Sequence, residues 1–199
     1  MRVMKYSAGM VSQVFAFVEA KKLAELLSKG LTKEETWEKV ESENLFQLRN
    51  ATRLRRTFNY VYMRLASLPE EMLKLLPVLD AENAKILVLI SIMKTDLLFF
   101  EFVYEVYRGK IIVGEKTIEN RDMNTFFDEK VIQSDIVSSW SECGIQKLKN
   151  CYLKNLADAG LLETTKNRVI KPALVNYRLE EMLEKYDMGT YLNAVKGER

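Results

Sequence analysis

Gln146, Lys147, Lys149, Asn150 and Lys154 put amide and ammonium groups on one side of a segment that reads as a helix over residues 142–159. Amides read base edges and cations meet phosphates, so this mixture is the chemistry of a nucleic-acid groove. Behind it, Ile145, Leu148, Tyr152, Leu156 and Ala159 recur at three- and four-residue spacing and predict one buried stripe. Ser141 is placed to cap the helix start and Gly160 to end it in the left-handed conformation. Residues 163–171 then read as a β-hairpin whose polar tip carries Lys166 and Arg168. From Ser141 to Lys171 there are six Lys/Arg against Glu142, Asp158 and Glu163. A helix backed by core, basic in front and followed by a basic wing suits a groove flanked by phosphates. The same residues would also serve as the solvated face of an ordinary amphipathic helix.

A second basic element lies between Asn44 and Pro69, where Arg49, Arg53, Arg55, Arg56 and Arg64 occur with no acid. Leu54, Phe58, Val61, Leu65 and Leu68 predict the core stripe of a helix there, and Arg49, Arg53, Arg56 and Tyr60 fall roughly opposite. Guanidinium forks match phosphate oxygens well. The alternative is that these arginines pair with glutamates elsewhere in the chain.

Composition excludes several chemistries. The chain has 199 residues, a net charge of only +2, and no histidine. Basicity must therefore be local, and His-based triads or His-ligated zinc are ruled out. No Gly-rich phosphate loop is present, and acidic pairs such as Asp128/Glu129 and Glu180/Glu181 are adjacent, so they project apart. No catalytic constellation, metal site or cofactor site is expected, and no small-molecule substrate. Cys143 and Cys151 would lie about 12 Å apart along one helix, too far for a disulfide, which favours a reducing compartment. The basic start, Met1 to Tyr6, meets Ser7-Ala8-Gly9 before any long apolar run, so no signal peptide is expected. The apolar run from Ile86 to Met93 is interrupted by Lys94 and Asp96 and reads as core, not as a membrane span.

Positioning these residues requires a mainly α-helical chain. Helices are predicted over residues 12–29, 33–44, 50–67, a short turn after Pro69, 81–93 and 97–108. Thr32-Lys33-Glu34-Glu35 reads as a capping box, and Asp80 and Asp96 as caps. Ile111-Ile112-Val113 between Gly109 and Gly114 reads as β-favouring and marks a boundary. Helices follow over residues 118–132, 136–139 and 142–159, then the wing, then 177–186 and a last short one ending near Val195. The division is 1–109 as a helical bundle and 110–199 as a winged-helix-like subdomain with a small β-hairpin.

Several short pieces in order carry a family resemblance: Tyr6-Ser7-Ala8-Gly9, Glu43-Asn44-Leu45-Phe46-Gln47-Leu48, Lys94-Thr95-Asp96-Leu97, Phe126-Phe127-Asp128-Glu129-Lys130, Trp140-Ser141-Glu142, Leu156 to Leu162 and Ile170-Lys171-Pro172. Over most of its length the chain resembles the BrxA family, small components of the BREX bacteriophage-exclusion systems. One departure is Gly144, where the family pattern more often has threonine. The resemblance implies an N-terminal bundle similar to the antitermination factor NusB and a winged-helix-like second half. It also implies a non-enzymatic, cytoplasmic, double-stranded-DNA-binding part in phage defence, with other BREX proteins as partners. The rival expectation is a protein–protein adaptor; RNA binding is a further one.

Overall fold

The computed structural model describes residues 5–198 and is mainly helical. The basic start up to Met4, and Arg199, lie outside the described residues. The helices are α1 (Phe17–Leu27), α2 (Lys33–Ser42), α3 (Ala51–Ala66), α4 (Glu70–Leu75), α5 (Ala81–Met93) and α6 (Leu97–Phe102). After a π-helical turn, Val103–Tyr107, come α7 (Arg108–Ile112), α8 (Asn120–Gln133), α9 (Asp135–Ser138), α10 (Glu142–Asp158), α11 (Tyr177–Lys185) and α12 (Gly189–Lys196).

Local hydrogen bonds explain most starts. Thr32 and Glu35 form the reciprocal capping box of α2. Side-chain oxygens of Asn50, Asp80, Asp96, Ser141 and Asn176 accept from free amides at the starts of α3, α5, α6, α10 and α11. The apolar run that forms α5 is buried on nearly every side. That is the pattern of a central helix, with core on all faces instead of one stripe. Helices α3, α6, α10 and α12 pack around it. No helix among the described residues is long and apolar enough to cross a membrane.

The aromatic centre ties α10 to the rest. Tyr152 lies 5.0 Å from Phe99, 5.3 Å from Phe102 and 5.8 Å from Phe127 by ring centroid. Those rings come from α6 and α8, so the basic helix is anchored by a well-packed cluster. Lys130 adds a second tie: its buried ammonium reaches Glu101 and Glu105 at 2.8 Å each, holding α8 against the α6–π run. Burial pulls the pKa of this lysine down, but the two carboxylates outweigh burial and leave it raised.

The structure corrects three expectations. Residues 13–16 are not helical: a 3₁₀ turn at Gly9–Ser12 leads into an extended piece, and Ala16 is left-handed at φ 54°. We call residues 9–16 the strap. Its carbonyls face partners on other helices, which compete with local helix formation. Second, Ile111 and Ile112 are helical, so the break starts at Val113. Tertiary packing overrides their β preference, since Ile111 sits against Gly197 just after α12. A Cβ at Gly197, itself at φ 75°, would fall 2.3 Å from the Ile111 side chain. Residue 109 consequently lies inside a helical run, and one buried cluster includes side chains from both halves.

The third correction is the β-hairpin. Among the described residues only isolated antiparallel bridges form, Leu162 with Ile170 and Thr117 with Val169. The arms pair just once, the Glu163 amide donating to the Val169 carbonyl and the Lys171 amide to the Leu161 carbonyl at 2.9 Å each, and the tip then folds on itself. The Thr164 hydroxyl accepts from the amides of Lys166 and Asn167, the Asn167 side chain donates to Glu163 at 2.6 Å, and Arg168 is left-handed at φ 52°. These bonds close a compact turn, and the pairing stops at one bridge.

Candidate nucleic-acid interface

On α10, the predicted buried stripe is present: Leu148, Tyr152, Leu156 and Ala159 are buried and Ile145 is half-buried. Leu153 and Asn155 are buried as well, so the free face is narrower than expected. It holds Gln146, Lys147, Asn150 and Lys154, all exposed. Gln146 donates to the Asn150 carbonyl oxygen at 3.4 Å, and Lys154 pairs with Asp158 at 3.1 Å. Lys147 makes no ion pair among the described residues. The helix start is well supported, because Gly144 N–H donates to Ser141 Oγ at 3.1 Å. A side chain at 144 would crowd that cap, its Cβ lying 3.2 Å from the same oxygen.

Lys149 turns away from this face. Its ammonium donates to Asn124 Oδ1 on α8 at 2.7 Å and lies over the Phe127 ring. Arg168 likewise leans back on α8, donating to Asn120 Oδ1 at 2.5 Å. Together with Gln146 and Asn150 they surround a cleft of about 210 Å³ whose floor includes the buried Leu153. Sequence reasoning missed Asn120 and Asn124; nothing local marks them, since only the packing of α8 brings them beside α10. Lys166 stands exposed at the wing tip, apart from this cleft.

The arginines on α3, and Arg49 just before its Asn50 cap, divide sharply. Arg49, Arg53 and Arg56 are exposed and have no acidic partner within 4 Å among the described residues. Arg64 is buried and grips the strap, donating to the Val14 carbonyl and Gln13 Oε1 at 2.8 Å each. Burial pushes its pKa down to about 10. Tyr60, expected on the basic stripe, is also buried, beneath the Arg64 guanidinium at 4.7 Å. The strap lies against the Tyr60 end of that stripe, which is why Tyr60 leaves solvent while Arg56 does not. Arg55 stacks on Trp37 at 4.2 Å.

The strap also meets α10. The half-buried Cys151 thiol donates to the Met10 carbonyl at 3.2 Å, and burial pushes this thiol up to about 11. Val14 lines one cleft with Arg53 and Arg56 and another with Lys154. The two basic elements therefore flank a common segment. Among the described residues no group of three or more Cys, Asp or Glu could hold a metal ion.

A helical protein with two cation-bearing helices joined by a strap is the class that fold and site define. The model of the BrxA family matches residues 4–187. The chain is 38% identical over 194 residues to a BREX protein BrxA from Bacillus cereus (strain H3081.97), covering 97% of each. It is 21% identical over 182 residues to a BREX protein BrxA from Escherichia coli O9:H4 (strain HS), covering 91% of this chain and 85% of that one. The chain belongs to the BrxA family, a component of BREX phage-defence systems. Its fold matches the crystal structure of an uncharacterized protein from Magnetospirillum magneticum, with a TM-score of 0.84 at 17% identity over 98% of this chain and 100% of the other.

Proposed function

We propose that this protein binds double-stranded DNA without catalysis, as an accessory part of phage defence in the cytoplasm. The observation that carries the reading is placement: Arg49, Arg53 and Arg56 at α3 and Lys147 on α10, the two elements that flank the strap, are exposed with no acidic partner among the described residues. Cations placed in this way are free to meet phosphates. Residues 110–199 are read as a winged-helix-like unit with α10 in the major groove. Supporting this are the order bridge Thr117, α8, α9, α10, bridge Leu162–Ile170, and the basic residues Lys166 and Arg168 near the turn. Residues 1–109 are read as the bundle, NusB-like by family resemblance, that carries the backbone-gripping Arg49, Arg53 and Arg56. Gln146 and Asn150 give the base-reading capacity; cations outnumber them, so binding is weakly sequence-specific.

A second reading has its own observation. A cleft of about 870 Å³ is lined by Trp37, Arg55, Asn59 and the exposed Met63, groups that suit a protein partner such as another BREX component. Fluorescence anisotropy with a labelled 20-base-pair duplex and with its single strand, at about 50 mM salt, separates the readings. Saturable binding that favours the duplex supports the DNA function. No change in anisotropy with either probe leaves the adaptor reading in its place.

A further inference from the structure

The cleft between α8, α10 and the wing differs from the other basic clefts. Glu41 lines the large cleft beside Arg55, and Glu19 lines the one holding Arg53 and Arg56. No carboxylate lines the cleft of Asn120, Asn124, Gln146, Lys149, Asn150 and Arg168. Its hydrogen-bond bookkeeping is one-sided. An ammonium and a guanidinium have no acceptor, so the amides that meet Lys149 and Arg168 must turn their oxygens toward them. Asn124 Oδ1 and Asn120 Oδ1 are consumed in this way, and Asn150 Oδ1 accepts from Gln146. The groups left without any partner are nearly all N–H: the amide nitrogens of Asn120, Asn124 and Asn150, and the remaining protons of Lys149 and Arg168. Gln146 Oε1 is the exception.

We propose that this cleft is a seat for one phosphate group, filled by a backbone phosphodiester of bound DNA; the inference rests on the DNA-binding reading above. A donor-rich, acid-free site selects a tetrahedral oxyanion over a base edge, which needs acceptors as well as donors. Size agrees, since about 210 Å³ is below the roughly 300–1,000 Å³ of pockets that enclose a whole small molecule. Position agrees too: the seat joins the recognition helix to the start of the wing, where a groove edge would run. Asn120 and Asn124 are thus phosphate ligands on a helix that carries no exposed cationic stripe.

Asn124→Asp tests this. The exposed aspartate keeps a partner for Lys149, so folding is retained, but it replaces a donor with a negative acceptor. Gln133→Glu, at the far end of α8, adds the same charge outside the seat as a control, and Asn124→Ala removes the donor without adding charge. DNA affinity is measured against salt for all four proteins, and side-chain amide NMR signals are followed during titration with inorganic phosphate at constant ionic strength. The proposal expects Asn124→Asp to flatten the log–log salt slope by about one unit and Asn124→Ala to weaken binding with the slope kept, with Gln133→Glu unchanged in both. It also expects phosphate to shift the Asn120, Asn124 and Asn150 amides of the parent protein. If the parent binds DNA, Asn124→Asp keeps its slope and Asn124→Ala keeps its affinity, the DNA assignment of the seat is overturned while the DNA-binding reading stands. Phosphate shifts together with an unchanged slope would point to a free phosphate ester as the occupant. Absence of both effects removes the seat altogether. If the parent protein binds no DNA, the underlying reading fails, and the phosphate titration alone judges the seat.

Discussion

Arg64 and Arg56 look alike in the sequence of α3, yet one is a strut and the other an unpaired surface charge. Arg64 bonds the strap twice and lies over Tyr60. Removing it strands two acceptors and opens a cavity, so Arg64→Ala should cost about 2–4 kcal/mol of stability in urea unfolding. Arg53→Ala or Arg56→Ala should stay within about 0.5 kcal/mol, because neither side chain has a partner to lose. Equal midpoints for all three variants would contradict this division. Asp96 supplies a pH test at the same scale. Burial raises its pKa to about 6, against the lowering effects of the Phe99 amide and Arg64, while an unfolded aspartate titrates near about 3.9. The folded state therefore holds the proton longer. This contribution is fully present below about pH 4 and is lost as pH rises through about 6, a change on the order of 3 kcal/mol. Asp96→Asn keeps a cap oxygen and should remove that fall; unchanged pH dependence in the variant would refute the assignment.

Among the elements, α10 is where sequence and structure agree best and where the proposed reading is most exposed to test. Lys147→Glu and Lys154→Glu should each weaken duplex binding in an anisotropy titration, with melting temperatures close to the parent's, since both lie opposite the buried stripe. Intact binding in both would remove α10 from the interface. The legible features here were local. A serine cap, a three-four periodicity and a terminal glycine are written within a few residues of one another, so α10 ends where expected. The capping box of α2 and the Asp caps of α5 and α6 were readable for the same reason. The strap was not, because its conformation depends on Arg64 and Cys151, 50 and 141 residues away from the atoms they touch. The wing was legible only in part: its arms pair at Leu162 and Ile170, but Thr164 and Asn167 close the tip with side-chain bonds and no longer ladder forms. Asn120 and Asn124 carry no local signal at all, and their importance comes only from Lys149 and Arg168 reaching across to them.

At the scale of the whole molecule, a net charge of +2 makes attraction to DNA a matter of placement. Long-range pull is weak, so binding must come from contacts made by Arg49, Arg53, Arg56 and the α10 face together, on either side of the strap. That arrangement makes the dependence of affinity on salt the most direct measurement of the central claim. With about four to six phosphates neutralised, log affinity for duplex DNA should fall against log salt with a slope near about −4 to −5. Replacing Arg53 and Arg56 together by Ala should flatten it by about one unit per lost contact. A slope near zero, or no duplex binding even at about 50 mM salt, would contradict the account and leave these basic faces to a protein partner.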